Sequence, residues 1–95
     1  MEQQETVRIR MPREGEIFGI VEQMLGSDRM RVNCVDGHVR MGRVPGKLRK
    51  RVWIREGDIV LVKPWEVQPK EKADIAWRYT VTEASVLRRK GLWKD

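Results

Sequence analysis

Asp36-Gly37, set between two segments of alternating polarity at residues 29–35 and 38–44, constrains this chain more than any other feature. Asp-Gly between alternating segments is the strongest short-range signal for a β-hairpin. Read as a two-residue loop, it pairs Val35 with His38, Cys34 with Val39, Asn33 with Arg40, Val32 with Met41 and Arg31 with Gly42. Register decides which side chains share a face. This one sorts Cys34, Val39, Val32 and Met41 onto an apolar face and Asn33, Arg40, Arg31 and Gly42 onto a cationic one. Arg43 then falls on the apolar side opposite Met30, which predicts a bulge or strand end there.

Three more segments read as strands. Residues 17–25 are apolar at both parities, with Gly19 inside, and a glycine within a strand marks a bend or bulge. Residues 59–65 are also apolar on both faces, and residues 73–81 make a fifth strand. Pro45-Gly46 breaks the sheet pattern and predicts one short helical turn after the third strand, while residues 55–58 form a further turn. A short helix is expected at residues 84–89, with Arg88, Arg89 and Lys90 at its negative pole and Gly91 as its stop. A small all-β domain must protect its sheet edges, and closure into a barrel does so. The expected fold is therefore an all-β, five-stranded oligonucleotide-binding barrel with a short helical connection and a short C-terminal helix, an SH3-like barrel being the alternative. The chain divides into a flexible N-terminal arm (1–14), the barrel (15–82), and a short helix and tail (83–95). Such barrels usually bind on the face of strands two and three, where the cationic face is expected.

Charge sharpens the expectation. The net charge is +6, and residues 38–55 hold seven Lys/Arg and no Asp/Glu, so the rest of the chain is close to neutral. A near-neutral body with one concentrated basic segment suits a polyanionic partner. Five of the seven cations are arginine, whose planar fork bonds phosphate and stacks on bases. Trp53 abuts the run and suits base stacking, whereas Trp65 and Trp77, lying in strands, are expected in the core. The candidate RNA-binding residues are Arg31, Arg40, Arg43, Lys47, Arg49, Lys50, Arg51, Trp53 and Arg55.

Other function classes find little support. Catalysis would rest on a single histidine, His38, beside a turn, and a single cysteine, Cys34, on the apolar face. The stretch from Gly42 to Lys47 is one residue short of a phosphate-binding loop, and Leu48 stands where that loop needs Ser or Thr. No cysteine and histidine spacing suggests a metal site, so no enzyme activity and no cofactor are expected. No apolar run approaches the roughly 20 residues of a membrane span, and residues 1–5 lack the basic start of a signal peptide. A lone cysteine suits a reducing, cytoplasmic setting.

The segment Val-Pro-Gly-Lys-Leu-Arg-Lys-Arg-Val-Trp-Ile-Arg-Glu-Gly-Asp, residues 44–58, closely resembles the archaeal and eukaryotic translation initiation factor one-A family, the counterpart of bacterial initiation factor one. Arg31-Val-Asn-Cys34, Asp58-Ile-Val-Leu-Val62, Lys72-Ala-Asp-Ile75 and Tyr79 extend the resemblance over roughly residues 15–88. It implies a monomeric, non-enzymatic factor that docks at the A site of the small ribosomal subunit. There it would contact ribosomal RNA, a nearby ribosomal protein and other initiation factors, and promote recruitment of initiator tRNA and messenger RNA. Lys47, Arg49, Lys50, Arg51 and Trp53 carry over from the family's basic motif, while Arg40 and Arg43 rest on charge alone. The chain ends at Lys94-Asp95 without a long acidic extension, which suits an archaeal form. Two alternatives stand beside this reading: a generic single-stranded RNA-binding protein of the same fold, and a structural ribosomal protein.

Overall fold

A computed structural model describes residues 9–49 and 53–91; the side chain of Arg49 lies outside the described part. Its elements run β1 (Ile17–Met24), β2 (Arg29–Cys34), β3 (Val39–Arg43), α1 (Gly46–Arg49), β4 (Ile59–Pro64), β5 (Lys72–Arg78) and α2 (Val81–Arg89). The five strands close into a barrel in the order β1-β2-β3-β5-β4, with β4 returning to β1. Every pairing is antiparallel except β3 with β5. This is the oligonucleotide-binding topology, and the parallel closure by β5 separates it from the SH3-like alternative.

The hairpin forms, but one residue out of the expected register. β2 and β3 pair Asn33 with Val39, Val32 with Arg40, Arg31 with Met41, Met30 with Gly42 and Arg29 with Arg43. The loop has three residues, not two: the Gly37 N–H donates to the Cys34 carbonyl, and the Cys34 N–H donates to the His38 carbonyl, both at 3.0 Å. Gly37 sits at φ +91°, as the last residue of a three-residue loop, a turn followed by a bulge, requires. A one-residue slip exchanges the faces of a strand. β2 keeps its expected sides, with Met30, Val32 and Cys34 buried. β3 is reversed: Arg40 and Gly42 turn inward, while Val39, Met41 and Arg43 turn outward. Arg43 thus needs no bulge, and β3 ends at it, the other of the two outcomes expected there.

The barrel interior is filled by Val21, Met30, Val32, Cys34, Val44, Ile54, Val60, Val62, Ala73 and Ile75. Full burial of a Val, Ile, Leu or Met side chain contributes about 1.5–3 kcal/mol. A second cluster lies outside the barrel wall, where Ile59, Leu61 and Tyr79 meet Leu87 of α2, flanked by Ile9, Phe18, Ile20, Trp77 and Ala84. The two-sided apolar character of β1 and β4 is thereby explained. One face lines the barrel, and the other is covered by α2 and by the chain before β1.

Gly19 is a point of close approach. A Cβ there would lie 2.4 Å from Val32 Cγ1, and the register shift of β1 falls between Val21 and Gln23 instead. Among the described residues ahead of β1, 9–16, Arg10 and Glu16 make specific contacts. Arg10 forms a two-pronged ion pair with Glu16 at 2.7 and 3.1 Å, and the Tyr79 hydroxyl donates to the Arg10 carbonyl. α2 starts at Val81, ahead of the expected residues 84–89, because Thr80 caps it. The Thr80 hydroxyl accepts from the Glu83 N–H, and the Glu83 carboxylate accepts from the Thr80 N–H. Such a reciprocal capping box satisfies two helix-end donors.

Candidate nucleic-acid interface

The outward residues of β2, β3 and β5 form one continuous face. Arg29 and Arg31 come from β2, Met41 and Arg43 from β3, and Lys72 and Asp74 from β5. Parallel pairing sets Arg43 beside Asp74, and Trp65 follows directly after β4. The Asp74 carboxylate organises this corner, because one oxygen accepts from the Trp65 indole N–H at 3.0 Å and lies 3.4 Å from Arg43 Nε. The Arg43 guanidinium and the Lys72 ammonium lie over the Trp65 ring, 5.7 and 5.5 Å from its centroid, within cation–π range. Trp65 is therefore half-exposed at the rim of this face and not in the core. Trp77 is half-buried in the outer cluster, beneath the Arg10 guanidinium.

The expected site residues fare differently from one another. Arg31 is exposed on the face and donates to Gln23 Oε1 at 3.0 Å. Lys47 is exposed on α1, and Arg55 is exposed on the turn before β4. The Arg55 N–H donates to the Asp58 carboxylate at 2.9 Å, closing that turn, which Gly57 completes at φ +91°. Trp53 is 76% exposed, the most exposed aromatic ring among the described residues. Arg49 ends α1, its side chain outside the description, and Lys50 and Arg51 lie outside the described residues altogether.

Arg40 does not join this surface. Only 4% of it is exposed. Its guanidinium meets both Asp36 carboxylate oxygens at 3.0 and 2.8 Å, and its Nε donates to the Pro69 carbonyl at 2.6 Å. The Arg40 hydrogen bonds hold the Asp36 carboxyl below its usual range. The arginine thus ties the hairpin tip to the β4–β5 loop, and Asp36, four residues earlier, already neutralises it. Burial pushes the Cys34 thiol up, against the opposing pull of Arg40, so this cysteine is held as a neutral thiol in the barrel wall.

Arg29, Trp65, Lys72 and Asp74 belong to the face but escaped the sequence reading. Arg29 shares the outer side of β2 with Arg31 and was legible from that alternation, whereas Lys72, Asp74 and Trp65 reach the face through the parallel pairing of β5 with β3 and the Trp65–Asp74 bond, which no local pattern shows. Among the described residues no group of three or more His, Cys, Asp or Glu is placed to hold a metal ion, and no helix is long and apolar enough to cross a membrane.

The family model described as Translation initiation factor 1A / IF-1 matches residues 4–95. A protein named Translation initiation factor 1A from Methanothermobacter thermautotrophicus is 63% identical over 91 residues, covering 96% of this chain and 92% of that protein. One of the same name from Methanopyrus kandleri is 67% identical over 84 residues, covering 88% of this chain and 75% of that protein. The solution structure of translation initiation factor one from the Wolbachia endosymbiont of Brugia malayi matches with a TM-score of 0.55 and 28% identity, covering 76% of this chain and 85% of that chain. The chain therefore belongs to the translation initiation factor 1A / IF-1 family, whose members are non-enzymatic factors of translation initiation.

Proposed function

We propose that this factor docks on the small ribosomal subunit at the A site, through ribosomal RNA and an adjacent ribosomal protein, and there promotes recruitment of initiator tRNA and messenger RNA alongside other initiation factors. The mode of action is occupancy by a monomeric, cytoplasmic protein, with no reaction catalysed. The observation that carries the reading is Trp53, an indole 76% exposed within an acid-free basic stretch. Leaving so large an apolar ring in water forgoes burial that the fold elsewhere exploits. In one basic stretch with exposed Lys47 and Arg55, it supplies what single-stranded or looped RNA needs, a stacking ring with phosphate partners near it in sequence. Arg31, Arg43, Arg49, Lys50 and Arg51 extend the same surface in this proposal. Arg40, already neutralised, is withdrawn from it.

The test is co-sedimentation with purified archaeal small subunits across a salt series, competed with generic single-stranded RNA. Saturable one-to-one binding that resists the competitor and washes off at high salt is expected. Removal by the competitor would mean a general RNA binder, and retention through the wash would mean a structural ribosomal protein. The paired substitution Lys47→Ala and Arg55→Ala should weaken subunit binding roughly tenfold or more while leaving the melting temperature in place, because both side chains are exposed. Wild-type affinity would remove these two residues from the interface.

A further inference from the structure

Residues 44–58 link β3 to β4 and carry most of the proposed RNA contacts, and they are pinned to the barrel through residues that are not among those contacts. Val44 and Ile54 are buried in the barrel core, and Leu48 packs against it. The Val44 N–H donates to the Asp28 carbonyl at 2.8 Å. At the other end, the turn at residues 55–58 continues the β1–β4 ladder. The Gly57 N–H donates to the Val21 carbonyl at 2.8 Å, and the Val21 N–H donates to the Asp58 carbonyl at 3.0 Å. We propose that Asp58 is a positioning residue of the RNA-binding surface, its carboxylate holding this turn so that Arg55 and Trp53 are presented to the RNA. The inference rests on the RNA-binding reading above and adds a residue that acts on that surface through its neighbours.

Three observations carry it. First, Asp58 closes the turn from within. Its carboxylate accepts from the Arg55 N–H at 2.9 Å, and its own N–H donates to the Arg55 carbonyl at 3.2 Å. Short acidic side chains that bond a nearby backbone group stabilise turns in this way, and Gly57 supplies the positive φ of +91° that the turn needs. Second, exposure alternates just ahead of the turn. Trp53 is 76% exposed, Ile54 is seated in the core and Arg55 is exposed. The Arg55 backbone therefore lies between a core anchor and a closed turn, and holding it there keeps both flanking side chains of Ile54 outward. Third, the charge of Asp58 has the wrong sign for a direct role. A carboxylate three residues from Arg55 repels a polyanion, whereas its hydrogen bond removes in advance part of the ordering that binding would otherwise require.

The test measures affinity for purified archaeal small subunits, at a temperature where the variants are folded, with Asp58→Ala, Asp58→Asn and Gly57→Ala beside the wild-type chain. Lys47→Ala/Arg55→Ala is the control for the surface itself. Asp58→Ala should weaken binding by roughly 2- to 10-fold, the cost of ordering one or two side chains on association. Charge repulsion alone predicts the opposite sign, tighter binding once the acid is gone. Asp58→Asn keeps an oxygen that can accept the Arg55 N–H and should restore wild-type affinity or exceed it. Gly57→Ala removes no charge and meets nothing within 4 Å, but it strains the backbone at φ +91°, so it should weaken binding as Asp58→Ala does. It reads the same quantity if Asp58→Ala does not fold. In a Trp53→Leu/Arg55→Ala background, Asp58→Ala should add little further loss, because the residues it positions are gone. Full additivity there would overturn the proposal, and so would an Asp58→Asn variant as weak as Asp58→Ala. Affinity of Asp58→Ala or Gly57→Ala at or above wild type, with the Lys47/Arg55 control impaired, would sink the positioning role alone. Wild-type affinity of the control as well would sink the RNA-binding surface with it.

Discussion

Arg40 turns toward the barrel wall because Asp36, four residues earlier, meets its guanidinium with both carboxylate oxygens while Pro69 supplies a third acceptor. Burying a charge is costly unless it is paired and hydrogen-bonded, and here all three contacts are present. The side chain therefore acts as a strut between the hairpin tip and the β4–β5 loop. Arg40→Ala should accordingly cost about 2 kcal/mol of stability, for three charge-assisted bonds of which Asp36 can partly recover its own in water. RNA affinity per folded molecule should change little. Chemical denaturation alongside subunit binding checks this, and a stable variant with weakened binding would return Arg40 to the interface. Its misplacement in the sequence reading has a physical origin. Seven cations without an intervening acid look like one uniform patch, yet the acid that neutralises Arg40 lies just outside the window, at Asp36.

At the scale of elements, the same hairpin shows what patterning carries and where it stops. Asp36-Gly37 marked the turn, and β2 has its inner and outer sides as expected. The loop's length was not legible, because Gly37 serves equally well as the second residue of a two-residue loop or the third of a bulged one. Only packing separates the two. In the observed register Gly42 lies opposite Met30, and a Cβ there would be 2.9 Å from Ile75 Cδ1 and 3.2 Å from Val32 Cγ2. Gly42 is thus the position where β3 presses its backbone against the core. Gly42→Ala should destabilise the domain by about 1–3 kcal/mol through overpacking, as read from the denaturation midpoint, and an unchanged midpoint would contradict the observed register. The closed barrel was legible for a broader reason. Two-faced apolar strands, turn residues at Gly57 and Asp58 and a short helical link after the third strand all agree with one topology. The second apolar layer was only half legible, since β4 shows two buried faces but not that α2 and the chain around Ile9 cover the outer one.

Three ionisable contacts, two of them local and the third joining Tyr79 to Arg10 across the chain, set the response of the molecule to pH. Glu16 is held below its ordinary 4.5 chiefly by the Arg10 hydrogen bonds, and Asp36 below its ordinary 3.8 by Arg40. A carboxylate with a depressed folded value binds protons more readily when unfolded, so its contribution is complete above the ordinary value and is lost as pH falls through the depressed one. Tyr79 moves the other way. Burial beneath α2 raises its hydroxyl from 10.0 to about 12, so its contribution is complete below pH 10 and is lost between 10 and about 12. The melting temperature should therefore hold a plateau at neutral pH, fall as pH drops below about 4.5, and fall again above 10. Tyr79→Phe separates the alkaline limb from general lysine titration. At neutral pH it loses the hydrogen bond to the Arg10 carbonyl, about 1 kcal/mol. It has no hydroxyl to ionise, so its deficit relative to wild type should shrink as pH rises from 10 to 12. A deficit that stays constant across that range would show that Tyr79 ionises as freely in the folded protein as in the unfolded chain, and that the layer of α2 and residues before β1 is open to solvent at its centre.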